Sequence, residues 1–169
     1  MPPISEPSFA ALAAGLLIAT AIDLRTRRIP NVVTALMAAT GVALAVTGAS
    51  GLSLPAVVAG FALGVLLMLP GHLLGATGGG DVKLMGAVGA LLGPGLIVHA
   101  FLFTAVAGGV LALLVAARRG RLATTIRETA HLVAQPSDAP HNLATAGPGR
   151  RFAYGPAIAV GSLLAAVIG

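Results

Sequence analysis

The chain contains no cysteine. That absence excludes disulfides, thiolate nucleophiles and cysteine-bound zinc or iron–sulfur centres. Charge is scarce as well: 9% of the 169 residues are Asp, Glu, Lys or Arg, against about 25% in a soluble domain. Only five residues are acidic, so chemistry that needs carboxylates has few candidates. The four histidines, at 72, 99, 131 and 141, are scattered and show no ligand spacing such as H-E-x-x-H. Neither a metal nor a cofactor is expected.

What is abundant is apolar. The chain is 57% hydrophobic with a mean hydropathy of +0.97, and its runs of Ala, Leu, Val and Gly are apolar all round, as lipid-embedded helices require. Six stretches stand out: 8–22, 32–46, 52–69, 82–92, 96–117 and 152–168. Most approach the roughly 20 residues that cross the hydrocarbon. The fourth is short and ends at Gly93-Pro94-Gly95, a turn signal. The expected fold is all-α: a polytopic bundle of about six transmembrane helices with a short fourth, forming one integral-membrane domain over 1–169.

The net charge of +5 raises the question of nucleic acid, but the basic residues flank apolar segments, which points to lipid head groups instead. If the chain alternates sides, Arg25, Arg27, Arg28, Lys83, Arg118, Arg119, Arg121, Arg127, Arg150 and Arg151 all fall on one face. By the positive-inside rule that face is cytoplasmic and both termini point outward. The first span, followed by its arginines, reads as uncleaved. The polar loop 118–151 reads as an amphipathic segment, with Leu122, Ile126, Ala130 and Val133 at helical spacing, and then a flexible linker.

Two of the acids differ from the rest. Glu6, Glu128 and Asp138 fall in polar segments, whereas Asp23 and Asp81 each sit where an apolar helix meets the basic side. An ionisable group there is a functional candidate by default. Asp81 follows Gly78-Gly79-Gly80, which lets backbone approach closely, and is expected at or near the N-cap of span four. Carboxylate-driven peptide hydrolysis needs such a pair, one member ionised to take a proton from water and the other protonated to donate to the carbonyl oxygen. Each Asp alone also reads as a helix cap, and the pair reads as a proton or cation relay in a transporter. The run Gly75-Ala76-Thr77-Gly78-Gly79-Gly80-Asp81 is not a P-loop, because it lacks the Gly-Lys-Ser/Thr ending.

Asp23 with Arg27-Arg28-Ile29-Pro30-Asn31, together with Gly78-Gly79-Gly80-Asp81-Val82-Lys83-Leu84 and the later Tyr154-Gly155-Pro156-Ala157-Ile158-Ala159, resembles the type IV prepilin peptidases, aspartyl peptidases of the GxGD type. The resemblance implies an aspartic-type endopeptidase of the bacterial inner membrane, with Asp23 and Asp81 as catalytic residues on the cytoplasmic side. It implies cleavage of basic leader peptides from prepilins or pseudopilins, and contact with the pilus-assembly machinery. The short form looks most like the peptidases of tight-adherence (Flp) pili. It lacks the paired-cysteine insertion of the larger members, so their N-methyltransferase activity is not expected. A non-catalytic assembly protein on the same fold is the other reading.

Around the acids, Gly78, Gly79, Gly80, Pro30 and Asn31 are expected to shape the site, with Pro30 in the first turn of span two. Lys83 reads either as a partner of the acid pair or of a substrate carboxylate, or as a snorkelling interfacial lysine. Tyr154, Pro156 and Ala157 read as a docking surface for an extended substrate, or Pro156 simply as a helix opener. His72 reads as an interfacial residue. Gly60 and Gly64 are spaced for close helix packing.

Overall fold

A computed structural model describes residues 4–75, 77–118 and 154–169. These form five helices and, among the described residues, no strand. They are α1 (Glu6–Thr26), α2 (Asn31–Val46), α3 (Leu54–Leu73), α4 (Gly79–Arg118) and α5 (Gly155–Ile168). Apart from Arg118, which ends α4, the loop expected over 118–151 lies outside the described residues.

Local chemistry sets the helix boundaries. Ser5 and Ser53 cap α1 and α3, accepting the amides of Ser8 at 3.4 Å and Ala56 at 3.3 Å, and proline follows in the first turn of each. α1 stops at Arg27, whose left-handed backbone (φ 54°) turns its N–H back onto the Asp23 carbonyl at 2.7 Å. Pro30, expected inside the first turn of α2, is instead its N-cap. Its backbone is extended, yet its carbonyl already accepts the amides of Val33 and Thr34.

The six spans expected from hydropathy reduce to five helices. α1, α3 and α4 are long and apolar enough to cross a membrane, while α2 and α5 are shorter apolar helices of 16 and 14 residues. The fourth and fifth expected spans are both contained in α4, because the break between them occupies one residue. Gly93 alone leaves helical geometry, at φ 76° and ψ 175°, a conformation open essentially to glycine.

That break reverses the chain. Gly80 packs against Ile29 at the end of the bundle that holds Asp23, and Gly155, the neighbour of Tyr154, donates to the Asp23 carboxylate. Gly108 also lies against the Tyr154 ring, although a straight helix would separate Asp81 from Gly108 by about 40 Å. At the far end, Leu52 touches Gly93 and Leu96 touches Gly169. Residues 79–92 therefore run away from Asp23, and residues 94–118 return.

The outgoing arm is the centre of the molecule, with Leu84, Met85, Ala87 and Val88 all at 0% exposure. α3 crosses it at the two glycines singled out for packing: a Cβ on Gly60 or Gly64 would overlap the carbonyl of Gly89 or Met85. Such small-residue crossings let backbones approach where no hydrophobic effect draws helices together. α5 lines the returning arm, Gly161 against Thr104. Outward faces carry exposed Leu17, Leu36, Leu66, Val106 and Val167, a surface suited to lipid and not to water.

Candidate active site

Asp23 lies in the last turn of α1 and is 4% exposed. Its Oδ2 accepts the amide of Gly155 at 2.9 Å. Gly155 opens α5, so this amide is one of the helix-start donors that have no partner within their own helix, and it sits at the positive end of the helix dipole. A side chain at 155 is excluded, since a Cβ there would lie 2.8 Å from the same Oδ2. Pro156 follows, its fixed φ suited to the first turn.

Asp81 is 8% exposed and is the third residue of α4, not its cap. Its Oδ2 reaches back to accept the amide of Gly78 at 2.8 Å. This is the reach-back half of a capping box, in which a third-position side chain satisfies the amide before the helix. Gly80 lies beneath the loop between α1 and α2: a Cβ there would meet the Ile29 Cβ at 3.1 Å. That contact brings the end of α1 onto the start of α4, so both aspartates lie at one end of the bundle.

The remaining expected site residues arrange themselves around this pair. Lys83 donates from Nζ to Asn31 Oδ1 at 2.9 Å, tying the outgoing arm to the start of α2. Both side chains are exposed. Tyr154 and Pro156 are half-buried, while Ala157 is packed in the core at 2% exposure. Gly78 and Gly79 lie on either side of the α4 boundary. Gly79 lies against the imidazole of His72, whose Nδ1 is 3.0 Å from the Thr77 carbonyl. Among the described residues, no three His, Asp or Glu side chains converge.

Besides the Gly78 amide on Asp81, two partnerships escaped the sequence: the Gly155 amide on Asp23, and His72 on the loop before Asp81. The signal for the first was a glycine directly before a helix-opening proline. The second had no signal beyond a histidine near a helix end. Chemically, two buried carboxylates in each other's field do not both ionise cheaply, and a pair sharing one proton can take a proton from water while giving one to a carbonyl.

No curated protein and no solved structure matches the chain. A family model does, that of the type IV leader peptidase family, over residues 10–113. The match includes both aspartates, Gly78-Gly79-Gly80 and the reversal at Gly93. Leader peptidases of this family are membrane-bound and act as aspartic peptidases, in keeping with three membrane-length apolar helices that carry a buried pair of aspartates at one end. On that match, which spans more than half of its length, the chain belongs to the type IV leader peptidase family.

Proposed function

We propose that the protein is an intramembrane aspartic endopeptidase that removes the basic leader peptide from type IV, Flp-like prepilins at the cytoplasmic face of the inner membrane. One observation carries the reading: Asp23 and Asp81 are buried at the same end of the bundle, each with Oδ2 tethered by a glycine amide. Tethering fixes both carboxyl groups and leaves Oδ1 of each to work on a water between them.

The reaction follows from two carboxyl groups sharing one proton. The ionised one takes a proton from water as the water oxygen bonds to the scissile carbonyl carbon. The protonated one gives its proton to the carbonyl oxygen, producing a neutral tetrahedral diol. Collapse of the diol breaks the C–N bond, and the amine leaves with a proton returned by the pair. Tyr154 and Pro156, half-buried beside Gly155, border the place where an extended leader would lie, whereas Ala157, expected to dock with them, is buried in the core and cannot.

Sidedness rests on charge. Arg25, Arg27, Arg28, Lys83 and Arg118 all stand at the Asp23 end, and basic residues accumulate on the cytoplasmic side. A prepilin with its apolar helix in the bilayer and its basic leader in the cytoplasm presents its scissile bond at that level. The test is purified protein in detergent with a synthetic prepilin. Cleavage is expected to stop in both Asp23→Asn and Asp81→Asn while the helical content is retained. Persisting cleavage in either variant would return the pair to an ion-relay role.

A further inference from the structure

The amide that holds Asp81 is one edge of the Thr77–Gly78 peptide group, and His72 holds the opposite edge. Asp81 Oδ2 accepts the Gly78 N–H at 2.8 Å, and the Thr77 carbonyl lies 3.0 Å from His72 Nδ1. A carbonyl oxygen can only accept, so the proton belongs to Nδ1 and the imidazole is the donor. In a trans peptide the C=O and N–H point in opposite directions from one rigid plane. The result is a continuous chain, His72 Nδ1–H to Thr77 O, then Gly78 N–H to Asp81 Oδ2. Hydrogen bonds in series polarise one another: drawing electron density onto the carbonyl oxygen makes the amide a better donor.

The surroundings fit a device that orients this peptide. His72 sits in the last turn of α3, and the chain after it winds back over that turn. The Gly75 amide donates to His72 O at 2.9 Å, and the Thr77 amide donates to Gly71 O at 3.2 Å. The imidazole lies flush against Gly79, where a Cβ would be 3.6 Å from Cε1. Thus the last turn of α3 and the first turn of α4 grip one peptide from both sides. The ring itself is exposed, so replacing it opens no cavity in the core.

We propose that His72 is a positioning residue for Asp81, acting through the Thr77–Gly78 peptide. The assignment rests on the peptidase reading for its catalytic consequence, but the hydrogen-bonded chain itself does not.

Two substitutions separate orientation from bulk. His72→Ala removes the donor, whereas His72→Asn carries an amide nitrogen at nearly the position of Nδ1 and keeps it. Labelling threonine with carbonyl ¹³C and glycine with ¹⁵N isolates three Thr-Gly steps, Thr40-Gly41, Thr47-Gly48 and Thr77-Gly78. The first two serve as internal controls in the detergent-solubilised full chain. In His72→Ala, both the Thr77 carbonyl and the Gly78 amide proton should move upfield, with the controls unchanged, and His72→Asn should restore them. On the synthetic prepilin, His72→Ala should lower kcat about five- to tenfold, the scale of one lost hydrogen bond, with KM unchanged and His72→Asn close to the parent.

A Thr77–Gly78 resonance that ignores His72→Ala, or that His72→Asn fails to restore, overturns the proposal. So does an unchanged kcat in His72→Ala when Asp81→Asn abolishes cleavage. If Asp81→Asn still cleaves, the peptidase reading fails instead, and the resonances alone decide the link between His72 and Asp81.

Discussion

Asp23 and Gly155 stand 132 residues apart in the chain and are joined by a buried 2.9 Å hydrogen bond from the Gly155 amide to Oδ2. Through it the first helix and the last close the end of the bundle where the acid pair lies. Asp81 is held in the same manner by the Gly78 amide, also through Oδ2.

Gly155→Ala tests that closure. The new methyl would sit 2.8 Å from Asp23 Oδ2 and 3.3 Å from Cγ, so either α5 or the carboxylate has to move. Cleavage should fall at least about tenfold, because a displacement of roughly 1 Å in a catalytic group suffices for that. Circular dichroism should still show the helices, and KM for the synthetic prepilin should change little.

Lys83 and Asn31 allow the opposite expectation. Their 2.9 Å hydrogen bond is exposed, and such a bond contributes about 1 kcal/mol at most. Lys83→Met and Asn31→Ala should each leave kcat within about threefold, and the double variant should add little to either single one. A loss of a hundredfold in Lys83→Met alone would assign the lysine to substrate, and a steady-state comparison settles the point.

The crossing of α3 over the outgoing arm should be the most sensitive part of the scaffold. Gly60→Val places atoms onto the Gly89 backbone and should destabilise by about 3 kcal/mol or more, as overpacking does. Gly109→Ala, with nothing within 4 Å of its Cβ, should melt with the parent. Thermal unfolding in one detergent, followed by circular dichroism, makes the comparison direct.

Chelation provides a further check. Two carboxylates sharing a proton need no metal to activate water, so cleavage should be unchanged after dialysis against EDTA. Loss of activity restored by a divalent cation would refute the acid–base scheme.

How much of this was legible in the residues depends on what kind of group made each contact. Apolar runs and turn glycines located the helices to within a few residues, because lipid leaves few alternatives to a helix. Gly93-Pro94-Gly95 marked the break, although one glycine accomplishes it with no loop, so two expected spans share one helix. The shared end of Asp23 and Asp81 was readable from the alternation of basic residues. Asp81 was expected at or near the cap of its helix and stands in its third position, where Gly78 takes the cap and the carboxylate reaches back to it. The partners of both acids were not read from the residues, although a glycine before a helix-opening proline marked one of them. Every residue except proline carries an amide, and only the folded backbone decides which one is aimed at a carboxylate.

That dependence on main-chain donors limits how the protein can change. Exchanging a side-chain partner would retune an acid in one mutational step, but here no codon specifies the donor. Short of proline, which would remove it, all that a gene can write at 78 or 155 is whether anything crowds it. Apart from a change at His72, adjusting either carboxylate therefore means shifting a whole helix end, so natural variation in activity should trace to position 72 or to seams such as Gly60 with Gly89 or Gly161 with Thr104.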